Sequence, residues 1–263
     1  MRASLPFFKM HGLGNDFVVV EATAFRRRAL SARELCDRHF GVGADQLLIL
    51  RQTAGAFSDF EMKIQNQDGS PASMCGNGIR AAALYARTQG WKCKKPHEWL
   101  VLTDSGILTV RESGKTQFDV EMGIPHFMGH ATVQGTNWVK VDVGNPHAVT
   151  FVQGVDEIDI QSEGRRLEFH PRTGGKQGTN VEWVEIKGPR HIRVGVWERG
   201  AGATLACGTG ACAAAAAAIR CEKVKPGAVR VDLPGGSLTI TWAGPGKMLK
   251  MRGPAQVAYQ GEI

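Results

Sequence analysis

The sequence lacks any hydrophobic run that approaches the roughly 20 residues a helix needs to cross a bilayer. It also lacks a secretory signal, because the short apolar patch near its start is broken by Lys9, His11 and glycines. No CxxC pair is present, so the spacing of a structural zinc site is missing, and six cysteines in 263 residues are too few for a disulfide scaffold. We therefore expect a soluble cytoplasmic protein with no membrane association and no metal.

The net charge of +7 is not concentrated in one segment. The densest basic runs, at 26–28 and 92–95, are short and far apart in the sequence. A nucleic-acid-binding protein is expected to cluster its charge on a recognisable module, so we expect no nucleic-acid partner. A small anionic substrate fits the positive charge better, although charge alone does not decide this.

Two cysteines stand in the same pattern, Cys-Gly-x-Gly followed by an alanine-rich stretch. They are Cys75 in MCGNGIRAAALYA and Cys207 in ACGTGACAAAAAAI. Alanine favours helix, so each cysteine is predicted at a helix N-terminus, where free backbone N–H groups and the helix dipole favour a thiolate or a bound carboxylate. The pattern predicts that one thiolate removes the α-proton of a bound acid while the opposite thiol protonates the other face.

A single Cys-Gly-x-Gly motif would most simply contain a buried cysteine without chemistry. Here the motif occurs twice, at matching distances from a second repeated motif. Asn15 precedes Cys75 by 60 residues, and Asn145 precedes Cys207 by 62. The matching distances predict an internal duplication and favour a functional role for both cysteines.

The sequence pattern of both halves predicts an α/β (α+β) fold, in which short β-rich segments alternate with a few helical segments. We place the halves at 1–128 and 129–251, because segment 123–135 is rich in glycine and proline and has no clear period. Ser31 and Glu34 have the capping-box spacing at the start of the first helix. The predicted helices are 31–39, 78–89 and 210–220. The predicted strands are 17–22, 46–51, 99–104, 106–111, 117–123, 140–144, 148–154, 180–186, 191–197, 228–235 and 237–243.

Further polar residues lie near the two cysteine motifs. His147 follows a proline in a predicted turn, while Glu198 and Arg199 end a strand and enter the glycine loop that leads to Cys207. A lone histidine is often a core or surface residue, and a charged pair at a strand end is usually solvated, so the residues alone leave these roles open. Asparagines at repeat-related loop positions are predicted to line the second end of the substrate. They are Asn15, Asn66, Asn145 and Asn180.

Several motifs together resemble those of the diaminopimelate epimerase family. They are FFKMHGLGNDFVVV, GVGADQLLIL, NQDGSPASMCGNGIRAA, VGNPHAVTF, GTNVEW and ERGAGATLACGTGACA, in this order from residue 7 to the 210s. The closing GPAQVAYQGEI is similar to the family's terminal strand, so the resemblance covers nearly the whole chain. The CGTG motif alone is shared with proline racemase-like proteins, whereas the complete set is specific.

The resemblance implies interconversion of LL- and meso-diaminopimelate, in lysine and peptidoglycan-precursor synthesis, with no pyridoxal phosphate or other cofactor and no metal. It implies that Cys75 and Cys207 are the catalytic acid/base pair, partnered by His147 and Glu198 respectively. Arg199 would clamp the distal carboxylate of the substrate. The substrate-binding residues that it implies are Asn15, Gln46, Asn66, Gly76, Asn77, Asn145, Asn180, Glu198, Arg199, Gly208 and Thr209.

The fold that the resemblance implies is two pseudo-symmetric domains, each a barrel-like mixed sheet around a central helix. The active site would lie in the cleft between them, and strand 252–263 would return to the first domain. The resemblance also suggests a homodimer. Where the resemblance implies an acidic residue, this chain has Ala203; we expect retained activity, and the residues alone leave the effect on the pH profile open.

Three other functions fit parts of the pattern. A proline or hydroxyproline racemase-type epimerase would share the cysteine motifs, but not the asparagines or the GNPH motif. A cysteine-nucleophile hydrolase would need only Cys75 and His147. A binding protein that kept the fold would need neither cysteine, so the presence of both argues against it.

Overall fold

The structure is a computed structural model that describes residues 4–28, 30–53, 55, 57–72 and 74–263. The chain divides into two units. Unit 1 comprises Met1–Val120 with Gly253–Ile263, and unit 2 comprises Glu121–Arg252. No helix in the described part of the chain is long and apolar enough to cross a membrane.

Strands dominate both units. In chain order the strands are β1 (Pro6–Gly12), β2 (Asn15–Glu21), β3 (Gln46–Gln52), β4 (Phe60–Asn66), β5 (Pro71–Ala72), β6 (Glu98–Thr103), β7 (Gly106–Glu112), β8 (Gln117–Gly123), β9 (His126–Val133), β10 (Thr136–Asp142), β11 (Pro146–Val152), β12 (Asn180–Gly188), β13 (His191–Glu198), β14 (Gly202–Ala203), β15 (Gly227–Leu233), β16 (Gly236–Trp242), β17 (Leu249–Pro254) and β18 (Gln256–Glu262). The α-helices are α1 (Ala22–Phe25), α2 (Ala32–Cys36), α3 (Gly76–Thr88), α4 (Ile160–Glu168) and α5 (Gly208–Arg220).

In unit 1 a mixed sheet surrounds helix α3. The sheet follows the order β18, β1, β2, β3, β4, β6, β7, β8. Its pairings are antiparallel except for β2 with β3 and β4 with β6, which are parallel. Helix α3 contacts strands on both sides of this order, among them β18, β1, β3 and β7. The sheet therefore wraps around a central helix.

Unit 2 repeats the same arrangement around helix α5. Its sheet follows the order β9, β10, β11, β12, β13, β15, β16, β17. The parallel pairs are β11 with β12 and β13 with β15, at the same two places in the order as in unit 1. Helix α5 contacts strands from β10 to β16. The predicted mixed α/β fold of two repeated domains is confirmed.

The alanine-rich composition of the two central helices explains how a sheet can wrap around them. Along α5, Ala213–Ala218 are fully buried, and in α3 the same holds for Ala81–Ala83. Alanine has the highest helix propensity, and its side chain is only a methyl group. A helix of this composition is stable and thin enough to be enclosed by strands.

Several elements differ from the sequence-based prediction. The chain passes from unit 1 to unit 2 between Val120 and Glu121, eight residues before the predicted boundary at 128. Segment 123–135, predicted as a connection without a period, contains β9, which pairs with β10. Most residues of β9 are exposed, so the strand shows no hydrophobic alternation. Helix α4 was not predicted, because its sequence IQSEGRRLE is mostly polar; Asp159 caps it by accepting a hydrogen bond from Ser162 N.

The capping box at the start of α2 is confirmed, since the side chain of Ser31 accepts from Glu34 N and the side chain of Glu34 accepts from Ser31 N. The helix ends at Cys36, three residues before the predicted end. Asp37 has extended backbone angles, and its carboxylate accepts from the backbone N–H groups of His39 and Phe40. These two hydrogen bonds hold a turn in place of the last helical residues.

Candidate active site

Cys75 is the N-cap residue of α3, as the sequence predicted. Its backbone is extended, and its Sγ accepts a hydrogen bond from Gly78 N at 3.3 Å. The thiol also lies 3.5 Å from Asn15 Oδ1, which in turn accepts from Asn77 Nδ2 at 3.4 Å. The sulfur is therefore held between the open end of a helix and the amide of Asn15.

Two networks fix the residues next to Cys75. Asn15 donates to Asp45 Oδ2 at 3.0 Å. Arg80, which is fully buried in α3, donates to Asn77 Oδ1 at 2.7 Å and to the backbone oxygen of Gly76 at 2.8 Å. Since Arg80 engages the oxygen of Asn77, the amide nitrogen of Asn77 is turned toward Asn15. The sequence analysis did not single out Arg80, the fifth residue of α3, although a buried arginine needs polar partners.

Asp16 anchors the start of β2, where Asn15 lies. Its carboxylate accepts from Lys9 Nζ at 2.6 Å, from both terminal nitrogens of Arg38 at 2.9–3.0 Å, and from Asp45 N at 2.9 Å. Burial raises the pKa of Asp16, but the hydrogen bonds from Arg38 and Lys9 outweigh it and hold the pKa well below its ordinary value. Asp16 is thus a carboxylate at every pH at which an enzyme of this kind would work.

Gln46 and Asn66 complete the polar set in unit 1. Gln46 Nε2 donates to Asn66 Oδ1 at 2.9 Å, and Asn66 Nδ2 donates to Ser70 Oγ at 3.0 Å. We define the Cys75 cluster as the predicted site residues that unit 1 brings together. They are Asn15, Gln46, Asn66, Cys75, Gly76 and Asn77.

Cys207 is the N-cap residue of α5, which confirms the second predicted helix start. Its Sγ accepts from Gly210 N at 3.3 Å and lies 3.4 Å from Thr209 Oγ1. Burial raises the pKa of the Cys207 thiol well above its ordinary value, and the nearby carboxylates of Glu198 and Glu182 raise it further. The helix N-terminus alone would favour a thiolate, but in unit 2 burial and negative neighbours favour the thiol.

His147 is held at both ring nitrogens. Its Nδ1 lies 2.6 Å from Glu182 Oε1, and its Nε2 lies 3.0 Å from Asn145 Oδ1. Asn145 Nδ2 donates to Thr209 Oγ1 at 3.3 Å, which links His147 to the first turn of α5. His147 was predicted in a turn, but it is the second residue of β11 and is buried. Sequence reasoning missed Glu182, which is fully buried.

Asn180 holds the backbone of the loop that carries Arg199. The Oδ1 atom of Asn180 accepts from Arg199 N at 3.0 Å, and its Nδ2 donates to the backbone oxygen of Pro146 at 2.8 Å. Glu168 supports the next residue of the loop, because its carboxylate accepts from Gly200 N at 2.9 Å and from Trp197 Nε1 at 2.8 Å. The conformation of the Arg199 loop is therefore set by two side chains from outside it.

Glu198 ends β13 and receives a hydrogen bond from the hydroxyl of Thr204. Arg199 Nη1 donates to the backbone oxygen of Gln177 at 3.2 Å. Ala203 is exposed and lies opposite Trp197 in the pairing of β13 with β14. We define the Cys207 cluster as the predicted site residues that unit 2 brings together. They are Asn145, His147, Asn180, Glu198, Arg199, Cys207, Gly208 and Thr209.

Strand register relates the two clusters residue by residue. β2 and β3 pair with Phe17 opposite Gln46, and β11 and β12 pair with His147 opposite Asn180. The neighbouring antiparallel pairs extend this correspondence to β4 and β13. The corresponding residues are Asn15 and Asn145, Phe17 and His147, Gln46 and Asn180, Leu48 and Glu182, Asn66 and Glu198, Cys75 and Cys207, and Asn77 and Thr209. The four asparagines that were predicted in loops lie at or next to strand ends; Asn15 and Asn145 are at equivalent places, whereas Asn66 and Asn180 correspond to Glu198 and Gln46.

The comparison with known protein families decides the family of the chain. A family model described as diaminopimelate epimerase matches residues 7–128 and 139–258. The chain belongs to the diaminopimelate epimerase family. The two matched segments fall largely in the two repeated units, and the family makes the chain an isomerase.

Curated relatives agree with this family over their full length. A diaminopimelate epimerase of Cyanothece sp. is 39% identical over 283 residues, which cover 99% of this chain and 100% of the relative. A diaminopimelate epimerase of Ectopseudomonas mendocina is 40% identical over 277 residues, which cover 98% of this chain and 99% of the relative.

Solved structures with the same fold are more distant in sequence. A PhzF-family phenazine biosynthesis protein of Bacillus anthracis has a TM-score of 0.74 at 14% identity and covers 99% of both chains. A hydroxyproline epimerase of Agrobacterium vitis has a TM-score of 0.71 at 14% identity and covers 100% of this chain and 92% of that structure. At this identity the likeness shows the fold alone.

Proposed function

We propose that this member of the diaminopimelate epimerase family interconverts LL- and meso-diaminopimelate by two-base chemistry at Cys75 and Cys207. The observation that carries the proposal is the repetition of one arrangement, a cysteine at the N-cap of a buried helix, in both units of the chain. Inversion at a carbon needs one group to remove the proton from one face and another to deliver a proton to the opposite face. A duplicated fold supplies two such groups.

The reaction begins with the substrate α-carboxylate at the helix N-termini. Backbone N–H groups in the first turns of α3 and α5 favour an anion there. One sulfur removes the α-hydrogen as a proton, and the electron pair of the C–H bond passes into the carboxylate to form an enediolate. The same N–H groups stabilise the charge that develops on its oxygens. The second sulfur gives its proton to the other face of the carbon.

The protonation state of Cys207 is assigned from its surroundings, and Cys75 takes the complementary state that two-base chemistry requires. Cys207 is the thiol in the resting enzyme, since burial and the carboxylates of Glu198 and Glu182 raise its pKa. In the forward direction, which we define as the one that starts from this state, Cys207 delivers its proton to one face of the substrate carbon. Cys75 removes the proton from the other face. In the reverse direction Cys207 is the base, so its resting thiol must first pass its proton to a neighbouring group, and we assign Glu198, which accepts a hydrogen bond from Thr204, as that group.

The unrepeated residues select the substrate. Only one of the two stereocentres is to be inverted, so the distal end must be held in an unsymmetrical way. The polar site residues of unit 1 carry mainly amide side chains, whereas unit 2 also provides Arg199. Its cation can bind the distal carboxylate of the substrate through two hydrogen bonds. Asn180 positions the backbone of Arg199, and its predicted contact with the substrate stays a prediction. A homodimer and a cytoplasmic location belong to the same proposal, on the resemblance to the family.

The experiment that tests the proposal uses the purified chain in deuterium oxide under reducing conditions. We expect each diaminopimelate isomer to be converted to the other with deuterium at the α-carbon, and excess proline not to compete. Cys75→Ala and Cys207→Ala are each expected to abolish interconversion. Conversion of proline in place of diaminopimelate would favour the racemase-type alternative, and full activity in either alanine variant would refute the two-base assignment.

A further inference from the structure

Below the first turn of α5 the structure contains a buried pair of ionisable side chains, His147 and Glu182. Glu182 is fully buried and His147 is 1% exposed. They lie side by side because β11 and β12 pair in parallel with His147 opposite Asn180, and Glu182 is on the same face of β12 as Asn180, two residues further along. Nδ1 of the ring and Oε1 of the carboxyl are 2.6 Å apart.

The corresponding positions of unit 1 hold two hydrocarbon side chains. The shared strand register makes Phe17 the counterpart of His147 and Leu48 the counterpart of Glu182, and both are fully buried. The fold therefore fills these two positions with apolar side chains where no ionisable group is needed. Replacing a buried ion pair with apolar residues is often neutral or stabilising, so the requirements of folding do not explain the pair in unit 2.

Glu182 also lies directly below the second glycine of the CGTG motif. A Cβ atom on Gly210 would come within 2.9 Å of Glu182 Oε1 and within 3.3 Å of Cys207 Sγ. The equivalent glycine in unit 1, Gly78, has Leu48 Cδ2 at 3.3 Å in the same direction. The carboxyl of Glu182 thus occupies the space between the catalytic helix and the sheet that a leucine methyl group occupies in the other copy.

The hydrogen bonds of the pair define where its proton lies. Asn145 Nδ2 donates to Thr209, so Asn145 Oδ1 faces His147 Nε2 and accepts from it. Nε2 therefore carries a hydrogen. A hydrogen bond between Nδ1 and Oε1 then needs one further proton between these two atoms. This proton can be bonded to the carboxyl or to the ring, and in both cases it bridges the two groups.

From this geometry we infer that Glu182 is a positioning residue of the epimerase. Its carboxyl shares one proton with His147 and thereby keeps Nε2 of the imidazole a hydrogen-bond donor at the active site. This inference rests on the proposed function, because it assigns a purpose to His147 within that reaction. In unit 2 the His147 and Glu182 side chains can thus share a proton, whereas their hydrocarbon counterparts in unit 1, Phe17 and Leu48, cannot bind one.

The charged surroundings of the pair agree with this role. The titratable groups that face Glu182 from the packed elements are His147 on β11, Glu198 at the end of β13 and Cys207 at the start of α5. Burial raises the pKa of the Glu182 carboxyl, and Glu198 raises it further while His147 lowers it. A carboxyl with a raised pKa retains a shared proton to higher pH than an exposed glutamate.

Four variants test the inference. Glu182→Gln keeps the shape and removes the exchangeable acid, and Glu182→Leu introduces the residue found at the equivalent position of unit 1. The double variant His147→Phe/Glu182→Leu reproduces the complete apolar pair of unit 1. Glu185→Gln is the matched control, since Glu185 is on the same strand and pairs with Lys187 at the surface, outside the Cys207 cluster.

We expect Glu182→Gln to lower kcat by about 100-fold, the lower limit of a typical acid–base contribution, with KM nearly unchanged. The alkaline limb of its pH–rate profile should move to lower pH by at least one unit. The double variant should melt at or above the temperature of the unaltered protein and be inactive, and Glu185→Gln should match the unaltered protein in both respects.

Nuclear magnetic resonance of histidine labelled with ¹⁵N gives a readout that does not depend on activity. The unaltered protein should show a strongly downfield ring proton, from the short bond to Glu182, that is lost in Glu182→Gln and in the double variant. An unchanged kcat and pH profile in Glu182→Gln would overturn the inference, and so would a lower melting temperature together with an unshifted pH profile. If the unaltered protein fails to exchange the α-proton of diaminopimelate, the proposed function fails, whereas the ring-proton signal still decides whether the shared proton exists.

Discussion

A matched pair of glycine substitutions tests how closely helices α3 and α5 pack on the sheet of each unit. Gly78 and Gly210 are the last glycines of the two Cys-Gly-x-Gly motifs, and the structure predicts different responses to alanine. On Gly210 a Cβ would lie 2.9 Å from Glu182 Oε1, and on Gly78 the nearest atoms are Cys75 Cβ and Leu48 Cδ2, both at 3.3 Å. Real Cβ atoms do not approach other heavy atoms to 2.9 Å, so in Gly210→Ala a neighbour has to move.

The expected magnitude follows from what can move at each site. In both helices alanine gains about 0.4–1 kcal/mol over glycine, since it restricts the unfolded chain and favours helix. At Gly78 the side chain of Leu48 can yield by a few tenths of an ångström, so the net change in unfolding free energy is within about 0.5 kcal/mol. At Gly210 the carboxyl of Glu182 is held by its 2.6 Å contact with His147, and overpacking costs about 1–3 kcal/mol. Gly210→Ala is therefore expected to be less stable than Gly78→Ala by about 1–2 kcal/mol.

Calorimetry and turnover of the two variants side by side provide the assay. A difference of about 1–2 kcal/mol corresponds to a melting temperature lower by about 2–8 °C for a protein of this size. Because Cys207 Sγ is 3.3 Å from the added methyl group, we also expect Gly210→Ala to lose about 100-fold in kcat through displacement of the sulfur. Equal melting temperatures and equal activities in the two variants would refute the packing argument.

Three further predictions concern residues that support the two clusters. Asp16→Asn should lower the unfolding free energy by about 2 kcal/mol at neutral pH. Because the folded-state pKa of Asp16 is lowered, its contribution to stability is present above about pH 4 and is lost as the pH falls further. Urea titrations of the variant and of the unaltered protein should therefore converge in acid, and a constant difference in unfolding free energy at all pH values would contradict this. Glu168→Gln weakens the bond to Gly200 N, so KM for diaminopimelate should rise about tenfold with a smaller change in kcat; an unchanged KM would show that the loop needs no such support. Thr204→Val removes the hydroxyl that donates to Glu198, and kcat should fall about tenfold more in the direction in which Cys207 is the base than in the other, with a matching difference in KM because the equilibrium constant is unchanged; equal losses of kcat in both directions would contradict the role given to Glu198.

Helices α3 and α5 could be predicted because their signals are local. Cys-Gly-x-Gly followed by alanines specifies a cap and a helix without reference to the rest of the chain, and both helices begin at the predicted cysteines. The internal duplication was also visible, since matching motif distances survive in the sequence after other residues have diverged. The order of the strands and the two parallel pairings in each unit depend on long-range contacts that no local pattern encodes.

Glu182 was missed for a physical reason that applies to buried strands in general. In the segment NVEWVEI a glutamate between Val181 and Trp183 suggests a solvent-facing position by period-two alternation. In the structure β12 contacts α5 and also α4, and its first five residues are buried. A strand covered on both faces buries polar as well as apolar residues, so alternation predicts the wrong environment. His147 was placed in a turn by the preceding proline, which in fact begins β11.

The distribution of deuterium at early reaction times tests the two-base reaction most directly. LL-diaminopimelate is incubated with the enzyme in deuterium oxide, and both isomers are isolated after a few per cent conversion. If Cys75 and Cys207 act from opposite faces, the meso product carries deuterium at the inverted carbon, because its proton comes from a thiol equilibrated with solvent, while the recovered LL isomer retains hydrogen. Deuterium in the recovered LL isomer at the same rate as in the product would indicate a single base that serves both faces, and it would contradict the account.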